Sequence, residues 1–424
     1  MDEVTEKPPE LIAVDLPYRE LVLKHLKDID AEEPGLTAEA SDSNRVLNLG
    51  LIRLLAATRT ANNFMVKWGH RIPLNPQPQL AGVIPSDLDK ILDGLRLAIG
   101  DQHGGWYPPM GKVRNTDVVG GLPHIGSGWE YPDQKIGVET QFELAQATTE
   151  KEERPKIGVI DSLMYRHSAL DGRWSPADGY PPGLPEEDEY PWLYGHAAFV
   201  VGRILSRAPD VWPSLYSVLV GDPQTGEVPK TTVWNLAETM VAAFRAGIRV
   251  LNLSLGCYTV DGKAPFVLER AVDVLSRQGV AIVAAAGNHG KGNGGIRSNA
   301  PIFPAACPGA VAVGAFELAG EYPHAAFSPE APWIALGAPG AEVRSTYLLG
   351  PVRFSQLRGL PEPPENRSFD GYATWSGTSF ASGSVSAEIA RRMAETGKDP
   401  LAIVDDLRHT DPADNDGIGR YNRP

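Results

Sequence analysis

The chain has 424 residues, long for one domain, so two domains or one large α/β domain with an extension are expected. Its composition, 42% hydrophobic and 22% charged, is that of a globular protein and not a disordered one. A formal net charge of -14 excludes a general nucleic-acid binder, which needs a basic face.

The first residues, Met1-Asp2-Glu3-Val4-Thr5-Glu6, are acidic and show no apolar leader, and no apolar run reaches membrane-spanning length. A cytoplasmic protein without a membrane partner is therefore expected. Two cysteines, Cys257 and Cys307, are too few for a disulfide scaffold and read as free thiols packed in the core or at its rim.

Residues 1–50 carry twelve acidic against five basic side chains, which reads as a solvated, partly mobile arm. Within it, Leu21, Val22, Leu26 and Ile29 give a helical stripe over Tyr18 to Ile29. A stronger helix is predicted from Ser43 to Thr60, with Val46, Leu47, Leu51, Ile52, Leu54 and Leu55 on a wide apolar face. Ser86-Asp87-Leu88-Asp89 opens another helix, lined by Leu88, Ile91, Leu92, Leu95 and Ile99. Residues 103–134 are rich in glycine and proline, with Trp106, Tyr107 and Trp129 among them. They read as a surface loop, or alternatively as a segment lying across an active cleft. Residues 139–155 read as a connector. The division expected is an N-terminal extension, 1–130, mainly helical, and a second unit, 131–424.

From Lys156 the pattern turns α/β. Lys156 to Asp161 is a buried strand that delivers a carboxylate at its end. Helices are predicted at His196–Leu205, Val233–Ala246 and Pro265–Gln278. Strands are predicted at Leu215–Val220, Arg249–Leu255, Val280–Ala286 and Ala310–Ala315. The alternation implies a mostly parallel sheet covered on both faces. Residues 171–193 read as a surface loop, acidic at Glu186 to Glu189. Near the end, Ser379 stands one residue inside a small-residue helix whose Val385, Ile389 and Met393 recur at helical spacing. A serine there is either an N-cap or a nucleophile whose oxyanion the helix start stabilises.

A serine hydroxyl needs a base, histidine has a suitable pKa, and the histidine needs an acid to fix its tautomer. Asp161, His196 and Ser379 stand at element ends in the order Asp, His, Ser, one of the known orders for that constellation. An α/β-hydrolase elbow is disfavoured, because Ala381 and not glycine stands two residues past Ser379.

Four segments resemble the subtilisin-like serine peptidases: Val159-Ile160-Asp161-Ser162, Tyr194-Gly195-His196-Ala197, Ala284-Ala285-Ala286-Gly287-Asn288 and Gly377-Thr378-Ser379-Phe380-Ala381. Val250 to Gly256 resembles the strand that pairs with substrate, and Ala326-Phe327-Ser328 and Ala338-Pro339-Gly340 resemble turns of that fold. The resemblance implies a three-layer α/β fold and a serine endopeptidase acting on peptides or proteins. In it Ser379 is the nucleophile, His196 the general base and Asp161 its orienting acid. Asn288 and the Ser379 N–H form the oxyanion hole. Ser254, Leu255 and Gly256 offer backbone groups to an extended peptide, and Ala284, Ala285, Ala286 and Gly287 wall the pocket before the scissile bond.

Asp161 is followed by Ser162 and His196 by Ala197, departures from the family pattern that remove no catalytic atom. No cofactor is implied for the chemistry. Where relatives often carry a calcium-binding loop, Ser206 to Trp212 is short and offers one carboxylate, Asp210, which argues against the usual tight calcium site. Two other readings stay open: a transamidase or macrocyclase on the same fold, and a silent peptide-binding module. The 34 residues between Asp161 and His196 hold no large helical insertion, which counts against the first. The extension reads as a permanent packing or regulatory segment, with a removable inhibitory propeptide or a partner-binding domain as alternatives.

Overall fold

The structure is a computed structural model that describes residues 10–32, 36–56, 86–118, 131–134, 142–181, 188–219, 221, 230–259, 262–290, 297–318, 321–355 and 362–422. Trp129, Glu186, Glu187 and residues 291–296 lie outside them.

The chain begins with β1 (Glu10–Asp15), α1 (Arg19–Glu32), β2 (Leu36–Asn44), β3 (Leu49–Ala56), α2 (Asp87–Gln102) and β4 (Met110–Lys112). The strands form one antiparallel sheet in the order β2-β3-β1-β4. Both helices fall where the apolar stripes place them. Ser86 starts α2 with a reciprocal capping box: its Oγ accepts from Asp89 N at 3.2 Å, and the Asp89 carboxylate accepts from Ser86 N at 3.1 Å.

The helix expected at Ser43–Thr60 is instead the end of β2, a turn and β3, with residues 57–60 outside the description. The reason is burial on both sides of the sheet. Leu49 and Leu51 point into the main core of the molecule, while Ile52 and Leu54 point into a second core with Val22, Leu26, Leu92 and Ile99. A strand that is apolar on both faces loses its period of two. The extension is accordingly mixed α and β and not mainly helical.

A further strand, β5 (Asn115–Val118), leaves this sheet. The second unit then runs through β6 (Lys156–Ser162), β7 (Ser175–Pro176), β8 (Tyr190–Pro191), α3 (His196–Arg207), β9 (Trp212–Leu219), β10 (Lys230–Thr232) and α4 (Val233–Arg245). It continues through β11 (Val250–Leu253), β12 (Leu255–Gly256), α5 (Phe266–Arg277), β13 (Ala281–Ala285), β14 (Val311–Phe316) and β15 (Leu336–Pro339). The last elements are β16 (Val343–Arg353), β17 (Arg367–Trp375), α6 (Thr378–Thr396), α7 (Pro400–Arg408) and β18 (Gly419–Arg420).

Eight strands form the central sheet in the order β18-β15-β14-β13-β11-β6-β9-β7. Every pairing from β15 to β7 is parallel, and β18 closes one edge antiparallel. The predicted α/β unit is thus present. Two details differ. The strand expected at Arg249–Leu255 divides at Ser254, because Leu255 and Gly256 turn out to pair elsewhere. Ala338-Pro339 ends β15 and is not a turn.

α6 and α3 pack on one another and on the strands; α4 and α5 pair with one another and lie against β9 and β13. α6 is buried from Thr378 to Ala390, and its alanines, serines and Gly383 allow that close approach. α5 is used on two sides. Val267, Leu268, Ala271 and Val272 are fully buried in the main core, while Arg270 reaches Asp15 at 2.7 Å and the Leu47 carbonyl at 3.1 Å. Among the described residues no helix is long and apolar enough to cross a membrane.

Candidate active site

In a parallel sheet the carboxyl ends of the strands share one edge, and residues there converge. Asp161 stands near the end of β6, Ser254 follows β11, and Asn288 follows β13. The three strands are neighbours, with Leu253 opposite both Ile160 and Ala284. Ser254 and Ala285 therefore continue from neighbouring strands at the same edge.

His196 begins α3. A Cβ on Gly195 would run into the Tyr347 ring, so the residue before the histidine has to be small. The imidazole is fully buried against Trp375 and Phe380, at ring separations of 6.0 and 5.8 Å. Its Nδ1 lies 2.8 Å from Asp161 Oδ1. A carboxylate only accepts, so Nδ1 carries the proton and Nε2 is left with its lone pair. Nε2 has no hydrogen-bond partner among the described residues. Asp161 Oδ1 also accepts from Ser162 N at 2.7 Å, where a register shift breaks the pairing of β6 with β9.

Ser379 is the second residue of α6, where backbone N–H groups have no intrahelical partner. Its Oγ is directed to the Ser254 carbonyl at 3.5 Å, a long contact. Phe380, the next residue, is the ring that packs on His196.

Asn288 is fully buried. Its Oδ1 accepts from Thr378 N at 2.9 Å and from Thr378 Oγ1 at 3.1 Å. Committing the carbonyl of the amide leaves Nδ2 turned the other way, beside Gly377. Thr378 Oγ1 in turn accepts from Gly287 N at 3.0 Å. Thr378 therefore sets the orientation of the amide. Sequence reasoning passed over it as motif filler, although a hydroxyl next to a candidate nucleophile is a visible signal.

A second network was not legible. Ser254 Oγ donates to the Ser379 carbonyl at 3.0 Å and accepts from Asn252 Nδ2 at 3.0 Å. Ser386 Oγ donates to Asn252 Oδ1 at 3.1 Å. These bonds fasten α6 to the strand that carries Ser254, so nucleophile and cleft wall move together.

Beside Leu255 and Gly256 lies a strand of the chain's own N-terminal part. β5 is the central strand of a three-stranded sheet, β10-β5-β12, antiparallel to both neighbours. Asp117 lies opposite Gly256 and Val118 opposite Leu255, so the strand advances toward Ser254 and Ser379. Of the two readings given to residues 103–134, the segment across the cleft is the one that fits Asn115–Val118.

Asp210 accepts from Thr148 N and Oγ1 and from Thr149 N, at 2.6 to 2.8 Å. Burial works against its charge, but these bonds outweigh it and hold the carboxyl below the usual range. The carboxylate serves to fasten the connector. Cys257 and Cys307 are buried and free, and burial pushes the Cys307 thiol far up, which makes it unreactive.

Residues 152–410 match the subtilase family, peptidase S8. The chain is similar to a thermophilic serine proteinase of Bacillus sp. (strain AK1), 29% identical over 310 residues, which cover 69% of this chain and 64% of that one. An alkaline protease of Alkalihalobacillus alcalophilus is 31% identical over 201 residues, 45% of this chain and 47% of its own. The chain spans less than two-thirds of the length of either relative. Among solved structures, fervidolysin from Fervidobacterium pennivorans, a keratinolytic enzyme related to subtilisin, superposes with a TM-score of 0.59 at 16% identity, over 97% of this chain and 58% of that one. A likeness at that identity concerns the fold.

Proposed function

The chain belongs to the subtilase family, and on that premise we propose that it is a serine endopeptidase cleaving peptide bonds by acyl transfer, with Ser379 as nucleophile, His196 as general base and Asp161 as its orienting acid. The observation that carries this reading is the state of His196: fully buried, Nδ1 bound to Asp161, and Nε2 unpartnered beside the start of α6. Such an atom costs stability where it stands, and proton transfer is a use for it.

Ser379 Oγ attacks the carbonyl carbon as its proton passes to His196 Nε2. The oxyanion is met by the Ser379 N–H and the Asn288 amide, which donors fixed in a dry site stabilise far more than water would. His196 then returns the proton to the departing amine. Water repeats the sequence on the acyl-enzyme and releases the carboxylic acid. An extended peptide would lie where β5 lies, between β10 and β12, paired through backbone groups.

The position of β5 supports one reading of the extension over the others. With Asn115–Val118 as the central strand, another peptide can enter only when β5 leaves, so the segment that carries β5 acts as an inhibitor and not as a remote packing domain.

The test is labelling with a fluorophosphonate. The full chain reacts, slowly while the groove is filled, and Ser379→Ala abolishes the reaction. Undiminished labelling of that variant overturns the assignment.

A further inference from the structure

His289 follows Asn288 and is fully buried, yet no step of the proposed reaction uses it. Its Nε2 lies 2.8 Å from the Ala300 carbonyl, and its Nδ1 lies 2.7 Å from the Tyr258 hydroxyl. A carbonyl oxygen only accepts, so the proton is on Nε2. Nδ1 is then the acceptor of a hydrogen bond that Tyr258 donates.

Tyr258 is itself buried, two residues past Gly256, where β12 ends. Cys257, between them, is bridged to Phe303 by N···O bonds of 2.8 and 2.9 Å, which fix the backbone just before Tyr258. The ring of His289 meets that of Tyr258 edge to face, at 5.0 Å between centroids.

The oxyanion loop is pinned at most of its other points. Gly287 N is held by Thr378 Oγ1, Asn288 Oδ1 by Thr378, and Gly290 N by the Phe327 carbonyl. None of these bonds reaches the residues that follow β12; the Tyr258–His289 bond does. The space is tight: a Cβ on Gly287, whose φ is +98°, would meet His289 Nδ1 at 2.7 Å and the Tyr258 hydroxyl at 3.1 Å.

We propose that Tyr258 and His289 are a pair of positioning residues that hold the Asn288 amide in register with the substrate-binding strand, so that filling the groove and placing the oxyanion donor are coupled. The inference rests on the peptidase reading above. A donor misplaced by a fraction of an ångström loses much of its hold on the transition state while ground-state binding, made by backbone pairing, survives. Burial lowers the His289 pKa to about 4, against the bond to Ala300, which keeps the ring in the neutral form this geometry requires.

The test uses the full chain with active sites counted by fluorophosphonate, so that rates refer to reactive enzyme. Tyr258→Phe removes the donated bond and keeps the ring. It is expected to lower kcat about tenfold, leave KM within about twofold, and weaken a peptide boronic acid, which forms a tetrahedral adduct, by the factor lost in kcat/KM. His289→Gln keeps a donor for Ala300 and is expected to lose a similar factor, and the double variant little more than either single one. Unchanged kcat and boronate affinity in Tyr258→Phe overturn the proposal. So does a loss confined to KM, or full additivity in the double variant. A wild-type chain that never reacts with the fluorophosphonate sinks the peptidase reading instead, and leaves the pair nothing to position.

Discussion

The two sheets of this molecule are covered in different ways. The parallel sheet of the subtilase unit is sheathed by that unit's own helices. The antiparallel sheet of the N-terminal unit has α1 and α2 on one face, and its other face, through Ala13, Leu49 and Leu51, lies in the main core shared with the subtilase unit. The N-terminal unit is thus half finished by itself: its private core is small, and the rest of its apolar surface needs α5. The subtilase unit borrows less. What it receives is a filler for one groove, β5, held by main-chain pairing. The difference teaches that, on the proposed reading, docking and inhibition are one event, because the unit whose face is completed by docking also carries β5.

Single substitutions on β3 test this most severely, since adjacent residues serve the two faces. Ile52→Ala empties part of the private core and Leu51→Ala part of the shared one. Each is expected to cost about 2 to 5 kcal/mol. Hydrogen exchange should separate them: Ile52→Ala exposes the amides of α1 and α2, whereas Leu51→Ala leaves those protected. Both release β5 and raise the rate of peptide hydrolysis. The same exchange pattern in both would mean that the two cores are one.

A second test sits wholly in the subtilase unit. Glu388 is fully buried on α6 and bound by Arg207, Arg391 and Arg392 at 2.7 to 3.2 Å. Burial alone would raise its pKa, but the Arg391 and Arg392 hydrogen bonds and the Arg207 charge outweigh it and hold the carboxyl at about 2. A folded-state value below the unfolded one gives stability that is complete above about pH 4.5 and lost as pH falls toward 2. Glu388→Gln is expected to cost about 3 kcal/mol at neutral pH, since it removes the charge that Arg207, Arg391 and Arg392 share, and to flatten that acid limb in denaturant titrations. The exchange of α1 and α2 should not change.

The smallest expected effect is at the junction. Arg270→Ala removes the bonds to Asp15 and to the Leu47 carbonyl, a loss of about 1 to 2 kcal/mol. Docking weakens, hydrolysis quickens, and the acceleration that salt brings to the wild type by screening this ion pair diminishes. An Arg270→Ala chain as slow and as salt-sensitive as the wild type would place the attachment elsewhere.

Legibility in the sequence followed the same division. β6, β11, β13 and β14 are buried on both faces and short, and their unbroken apolar runs, ending in Asp161, Ser254 or Asn288, were readable. β3 is also buried on both faces, but its Leu47-to-Leu55 stretch is long enough to imitate a helix. β5 was beyond pattern reading: Asn115-Thr116-Asp117-Val118 has no apolar period, and its place comes from the backbone edges of β10 and β12. At the site, Asp161, His196, Asn288 and Ser379 carried their chemistry in their neighbours. Tyr258 and His289 did not, because a hydrogen bond between residues 31 apart exists only after folding.

α6 deserves a last thought as a mechanical part. Its nineteen residues make a rod of about 28 Å, with Ser379 at one tip and Glu388 about 13 Å down the shaft. A helix is stiff along its axis, so a slip of the shaft reaches the tip undiminished. Of the three guanidinium groups around Glu388, those of Arg391 and Arg392 ride on the same helix, so the Arg207 bond alone ties the shaft to α3 and resists a slide of one against the other. Whatever loosens that tie reaches Ser379 from a distance, along the helix axis.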